Sequence, residues 1–202
     1  MCSPPLTPQA HPACGTFRLP TPAPESPAYR TASGGIAAAV LPLRAAAAAY
    51  GPIRPSDPAT LAMVDFSQTR AMTVPDDLAI DDAQDRMRRL GVRACFVVHD
   101  GQVIGLVPAA DLEGGRTRRL LRAHPQLRRA QVRVRDVAIP CEELPGVDWE
   151  AIRYARVSDL TELFEAAGYS YLVVLERGSD GNTLLRGLIS RTRLKRQLGL
   201  LE

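Results

Sequence analysis

One order of elements occurs twice in this chain, and that repetition constrains its fold more than any other feature. In the first copy Ile80, Ala83, Met87 and Leu90 recur at helical spacing, while Asp81, Asp82, Asp85, Arg86 and Arg89 fall on the other face. This predicts an amphipathic helix over Leu78 to Leu90, capped by Asp76 or Asp77 and stopped by Gly91. A short buried strand, Ala94 to Val98, a tight turn at His99-Asp100-Gly101 and a returning strand, Gln102 to Val107, follow. Pro108 then suits the first position of a helix through Ala109, Asp111 and Leu112. The second copy repeats the order. A helix is expected over Val157 to Ala167, a stop at Gly168, strands at Tyr171 to Leu175 and Thr183 to Ile189 with a turn from Arg177 to Asn182, and a helix from Ser190 through Leu194 and Leu198. Matching Ile80 to Val157 sets the copies 77 residues apart. Each copy is too small to bury both faces of its own sheet, so two copies are expected to pack sheet to sheet about a pseudo-twofold axis, an α/β (α+β) architecture.

What precedes the repeat reads differently. Twelve of the 17 prolines lie between Pro4 and Pro58, with Ser33-Gly34-Gly35 and the run Ala45 to Ala49 among them. Such a segment offers too little apolar area to offset an ordering entropy of roughly 1–2 kcal/mol per residue. Residues 1–55 are therefore expected to be a low-complexity, mostly disordered tail, with one repeat in 56–125 and the other in 126–202.

Composition excludes several classes. The formal net charge is only +3, so no global field calls for nucleic acid or an anionic membrane. Cys2, Cys14, Cys95 and Cys141 form no metal-ligand spacing, and a reducing compartment is the simplest reading. The longest nearly apolar run, Ile36 to Leu43, is broken by Pro42 and falls far short of the ~20 residues a bilayer needs. Met1 to Ala13 carries prolines where a secretory signal has an apolar core. A cytoplasmic location is expected. His11, His99 and His124 stand apart from any nucleophile and acid that the repeat would bring together, so no enzyme, catalytic residue or metal site is expected.

The repeated residues resemble CBS motifs over roughly Asp57 to Gly199. The first copy shows Met72-Thr73-Val74, Ala83, Met87, Gly91-Val92, Phe96-Val97-Val98, Asp100-Gly101 and Val103-Ile104-Gly105-Leu106-Val107, ending in Asp111-Leu112. The second shows Val134-Arg135-Asp136-Val137, Val157, Leu172-Val173-Val174 and Gly187-Leu188-Ile189-Ser190. The resemblance is to a tandem CBS pair, or Bateman module, of the stand-alone bacterial type. It implies clefts for an adenosine-type ligand (AMP, ADP, ATP or S-adenosylmethionine), no required cofactor, a homodimer and a separate protein partner. The family's ribose signature is a glycine, two apolar residues, a Ser or Thr, two more residues and an Asp. The glycine permits close approach to the backbone, the hydroxyl and helix N-terminus serve phosphate, and the carboxylate accepts from the ribose diol.

Each copy keeps half of that signature. Gly105-Leu106-Val107 leads to Pro108 where the hydroxyl belongs, and then to Asp111. Gly187-Leu188-Ile189 leads to Ser190, but Arg193 stands where the acid belongs, and a guanidinium accepts no hydrogen bond. The resemblance places Met72 and Thr73 opposite Ser190 and Arg193, and Asp136 and Val137 opposite Asp111. The expected ligand residues are thus Gly105, Leu106, Val107, Asp111, Met72, Thr73, Asp136, Val137, Ser190 and Arg193. Two other readings stay open. One is a structural dimerisation module with closed clefts, which Pro108 and Arg193 favour. The other is a polyanion or nucleic-acid binder using eight arginines between Arg116 and Arg135, with no acid among them; no aromatic residue is interleaved for base stacking, which counts against nucleic acid. Trp149 is expected to pack over a sheet edge.

Overall fold

The computed structural model describes residues 51–177 and 183–201. Residues 1–50, where the tail was expected, residues 178–182, where most of the second turn was expected, and residue 202 lie outside the described residues. The strands are β1 (Met63–Asp65), β2 (Thr73–Pro75), β3 (Ala94–His99), β4 (Gln102–Pro108), β5 (Ile139–Pro140), β6 (Gly146–Asp148), β7 (Tyr171–Arg177) and β8 (Thr183–Ser190). The helices are α1 (Ile80–Leu90), α2 (Ala109–Glu113), α3 (Gly115–Ala123), α4 (Val134–Val137), α5 (Trp149–Tyr154), α6 (Val157–Ala167) and α7 (Arg191–Gln197).

The duplication is borne out in detail. Helices α1 and α6 both have 11 residues and begin 77 residues apart. Each stops at a glycine in the left-handed region, Gly91 at φ 65° and Gly168 at φ 70°, where a side chain would be strained. Each following hairpin carries a register shift at the equivalent place, between Val97 and Val98 and between Val174 and Leu175. The first hairpin turns through Asp100 (φ 47°) and Gly101 (φ 77°), the two positive φ values of a tight hairpin.

Two four-stranded sheets result, in the orders β2-β3-β4-β5 and β1-β8-β7-β6. They face each other across one shared core. Phe96, Val103 and Leu106 come from one sheet and Val173, Leu175 and Leu185 from the other, all buried. On the outer face of the first sheet, Ile80, Ala83 and Met87 of α1 pack with Val97 and Val107. On the outer face of the second, Val157, Leu160 and Phe164 of α6 pack with Leu172, Val174 and Ile189. At about 1.5–3 kcal/mol for each large side chain removed from water, these three layers carry the stability of the fold.

The division of the chain at residue 125 is not the division of the sheets. Strand β1 pairs antiparallel with β8, at the far end of the chain, and β5 pairs antiparallel with β4. Each sheet is thus completed by an edge strand from the other half of the sequence. The ordered part also begins before residue 56. Ile53 is only 8% exposed and its N–H donates to the Gln197 carbonyl at 3.0 Å.

Other local expectations need correction. Helix α1 begins at Ile80 with no side-chain cap. Asp76 instead points to His99 (3.2 Å) and Arg135 (3.6 Å), and Asp77 is exposed. Val134–Val137 is a short helix. The counterpart of Val134–Pro140 is Ala59–Asp65, because β5 and β1 take equivalent places beside Gly105 and Gly187. Met72-Thr73-Val74 corresponds to the β6 region: Thr73 registers with Phe96 as Gly146 does with Val173. Short apolar runs look alike in sequence, and only pairing partners tell them apart.

Candidate functional site

Both half-signatures sit where a strand turns into a helix. In the first, β4 ends at Pro108 and α2 begins at Ala109, whose N–H donates to the Arg93 carbonyl at 2.9 Å. In the second, β8 ends at Ser190 and the Arg191 N–H donates to the Ser170 carbonyl at 3.0 Å. Pro108 and Ser190 precede the helices as their cap residues, and neither side chain makes a capping hydrogen bond.

The signature glycines have a structural reason of their own. A Cβ on Gly105 would stand 2.5 Å from the Ile139 carbonyl oxygen of β5. One on Gly187 would stand 2.6 Å from the Met63 sulfur and 2.7 Å from the Val64 carbonyl oxygen of β1. The edge strand crosses over each glycine and uses the close approach that the sequence reading assigned to a ligand. Leu106, Val107 and Val137 are fully buried and belong to the packed core. Met72 packs on the first core and its carbonyl accepts from the Phe96 N–H at 2.9 Å, so Met72 and Thr73 are engaged with β3 of their own sheet.

Asp111 is half-buried, and one of its carboxylate oxygens accepts from the Arg116 backbone N–H at 3.1 Å. The Thr117 hydroxyl, 1% exposed, donates to the Asp111 carbonyl at 2.7 Å. A side chain on Gly115 would collide with the same carboxylate. Asp111 therefore builds the corner between α2 and α3 and satisfies a backbone donor at the start of α3.

Tyr171 of the other repeat opens β7 and packs on the core shared by the two sheets. Its hydroxyl is held above the usual phenol range chiefly by burial; the Asp111 charge adds to the rise and Arg93 opposes it, so both charges lie within electrostatic reach of the ring. Sequence reasoning passed over Arg93 and Tyr171, each of which reads as an ordinary strand-flanking residue. Helix α4 packs on α2, so Asp136 and Val137 do lie on the Asp111 side. The Asp136 carboxylate, however, accepts from the Arg133 N–H at 2.8 Å and is spent on its own helix. At the second half-signature Ser190, the last residue of β8, and Arg193, on α7, are both half-buried; the contacts of α7 run to β8, α6 and the Ala59–Ala62 turn.

Residues 64–113 match the CBS domain family. That stretch, from β1 to α2, is similar to a CBS domain. The second half of the chain repeats its order of elements, and the two units pack sheet to sheet across the shared core. Among solved structures, the CBS-pair protein CBSX2 from Arabidopsis thaliana is similar at 19% identity and TM-score 0.45, over 71% of this chain and 94% of that one. CBSX2 in complex with AMP gives 18% and 0.47, over 70% and 94%. The CBS domain of a bacterial CNNM/CorC family Mg2+ transporter gives 13% and 0.48, over 72% and 77%. No curated protein matches the chain.

Arg186 fills the second register shift and stacks over Trp149 at 4.4 Å, with Glu176 at 2.9 Å and Asp65 at 3.1 Å. Trp149 thus packs against Arg186 of β8, an interior strand and not the expected sheet edge, and joins the core beneath α6. Among the described residues no cluster could hold a metal ion, and no helix is long and apolar enough to cross a membrane.

Proposed function

We propose that this chain is a regulatory binding module that holds an adenosine-type ligand against Asp111 in the cleft between the repeats and signals to a separate protein. The observation that carries the reading is that Arg93 bonds the start of α2, two residues before Asp111, while Tyr171 of the other half packs on the core between the sheets, within electrostatic reach of both charges. A carboxylate offers acceptors for a ribose diol, a guanidinium pairs with phosphate, and an aromatic ring offers a face to a base. Groups contributed by both repeats also give a ligand a way to favour one arrangement of the halves over another. Asp111 carries such a preference outward, because the carboxylate that would meet the diol also holds the start of α3.

The second cleft is a phosphate-biased partial site, with the Ser190 hydroxyl and the Arg193 guanidinium and no acceptor for a diol. In this reading the module binds its ligand and does not transform it. Association of two modules into a homodimer belongs to the same reading.

Calorimetric titration with AMP, ADP, ATP and S-adenosylmethionine tests it. Saturable heat with at least one, weakened roughly tenfold or more by Asp111→Ala, is the expected result. No heat and no thermal shift with any of the four removes the ligand and leaves a structural dimerisation module. That alternative has its own support in the way β5 and β1 cover the two glycines.

A further inference from the structure

The eight arginines between 116 and 135 do not form one basic surface. Arg116 bonds the Ala138 carbonyl at 3.1 Å and pairs with Glu143. Arg129 bonds Asp81 at 2.8 Å, the Leu112 carbonyl at 3.1 Å and Gln84 at 3.3 Å. Arg135 lies between Asp76 and Asp136 at 3.6 and 3.9 Å. These three tie the connector to the first repeat, and their charge is compensated inside the molecule.

Of the other five, Arg133 is half-buried at the start of α4, and three lie together on one side of α3. Thr117 is buried and Leu120 and Leu121 pack half-buried on the first core, so α3 is docked by the face that runs i, i+3, i+4. Arg118, Arg119 and Arg122 occupy the opposite face, all exposed, and Arg118 and Arg122 lie one turn apart. Arg128, also exposed, follows in the loop after α3. Among the described residues no acid lies within ion-pair distance of these four. The result is a helix face of fixed position, made of forked cations with no internal partner.

We propose that this arginine face of α3 docks a short acidic segment of a partner protein. Guanidinium groups take carboxylates two hydrogen bonds at a time, and a helix held by its apolar face presents them without further ordering of the backbone. A short occupant fits better than a long one. Exposed Glu113 closes the start of the strip, and exposed Asp81, Asp82 and Asp85 line the outer face of α1, to which the connector is tied through Arg129. A continuous phosphate backbone running past the strip meets these carboxylates, finds no aromatic side chain on α3 for its bases and gains no help from the overall charge of +3. The inference goes beyond the nucleotide reading and does not depend on it.

The test uses the full chain without nucleotide and a short fluorescein-labelled oligoglutamate peptide, followed by anisotropy at low salt. The expected result is saturable binding that weakens with salt and falls roughly tenfold or more in R118E/R119E/R122E. The double variant R86E/R89E, on the exposed face of α1, keeps wild-type affinity. Circular dichroism checks the fold of the triple variant, and Arg119→Glu alone gives the same direction of change should the triple variant unfold. A peptide that does not bind overturns the proposal, as does binding unaltered by all α3 variants. Tighter binding of a labelled duplex oligonucleotide through the same arginines also overturns it, in favour of a nucleic-acid interface.

Discussion

The Asp111 carboxylate accepts the backbone N–H of Arg116 at 3.1 Å, across the break between α2 and α3. The contact gives one side chain two tasks: it holds the corner from which α3 departs, and its charge reaches Tyr171 of the other repeat. Removing the acceptor and removing only its charge therefore have different consequences. Asp111→Ala should lower stability by about 1 kcal/mol, the usual cost of losing a side-chain acceptor at a helix start. Asp111→Asn, which keeps an oxygen there, should lower it by only a few tenths. Urea unfolding of the two variants beside the wild type separates them, and equal losses would show that the oxygen is not the stabilising group.

Gly105 and Gly187 should tolerate no side chain. In each case the would-be Cβ meets backbone carbonyl oxygen of the crossing edge strand, at 2.5 and 2.7 Å, so the strand has to move. Gly105→Ala and Gly187→Ala are each expected to cost about 1–3 kcal/mol. The loss should appear in ligand-free protein by thermal unfolding. Wild-type stability with a selective loss of ligand affinity would mean that the glycines serve the ligand and not the strand.

The turn of the first hairpin is tied to the start of α4 through charge. His99 Nδ1 stands 3.2 Å from Asp76, with Asp100 at 3.5 Å on the other ring nitrogen. The hydrogen bond to Asp76 raises the imidazole pKa above its ordinary value, and both aspartate charges add to the rise. The same hydrogen bond, assisted by His99 and Arg135 charge, keeps the Asp76 carboxyl below its ordinary range. For His99, with its folded pKa raised, the contribution to stability is full below the unfolded pKa and is lost as pH rises through the folded one. For Asp76, with its folded pKa depressed, it is present above the unfolded pKa and lost as pH falls through the folded one. The pair is thus expected to favour folding most in mildly acidic solution and to weaken as pH rises from the ordinary imidazole value of about 6.5 through the raised folded one. His99→Gln should flatten the melting temperature across that interval; an unchanged slope would place the pH dependence elsewhere.

Cys95 lies on β3, 1% exposed, and burial pushes its thiol up to about 12. The native protein should leave it unalkylated by iodoacetamide at about pH 8, since the reacting species is the thiolate. Labelling should appear only as urea unfolds the chain, read by mass spectrometry of the peptide that contains Cys95. Prompt modification of native protein would show that the first repeat opens readily.

Truncation at the shared core should destabilise more than any of these changes. Leu106 is fully buried in the layer where Val173 and Leu185 arrive from the other sheet. Leu106→Ala is expected to cost about 2–5 kcal/mol, and unfolding should remain a single transition because both halves lose the same contact. Two separated transitions would contradict a common core.

Local pattern made much of this legible. The α1 and α6 periodicities, the stops at Gly91 and Gly168 and the turn at Asp100-Gly101 depend on neighbours in the chain, and each occurs where the sequence implied. The half-signatures were visible for the same reason. What they do in space was not: Asp111 is bonded to Arg116, and the bare backbone of Gly105 and Gly187 is covered by β5 and β1.

Helix, strand and turn in this chain follow from side-chain period and from backbone freedom at a few glycines, so the amino-acid order alone determined the duplicated unit and its apolar faces. Which edge strand completes which sheet and which arginines are neutralised were decided only in three dimensions. Those outcomes rest on hydrogen-bond ladders and charge contacts between residues far apart in the chain, whose energies depend on distance in space and leave no periodic trace in the sequence.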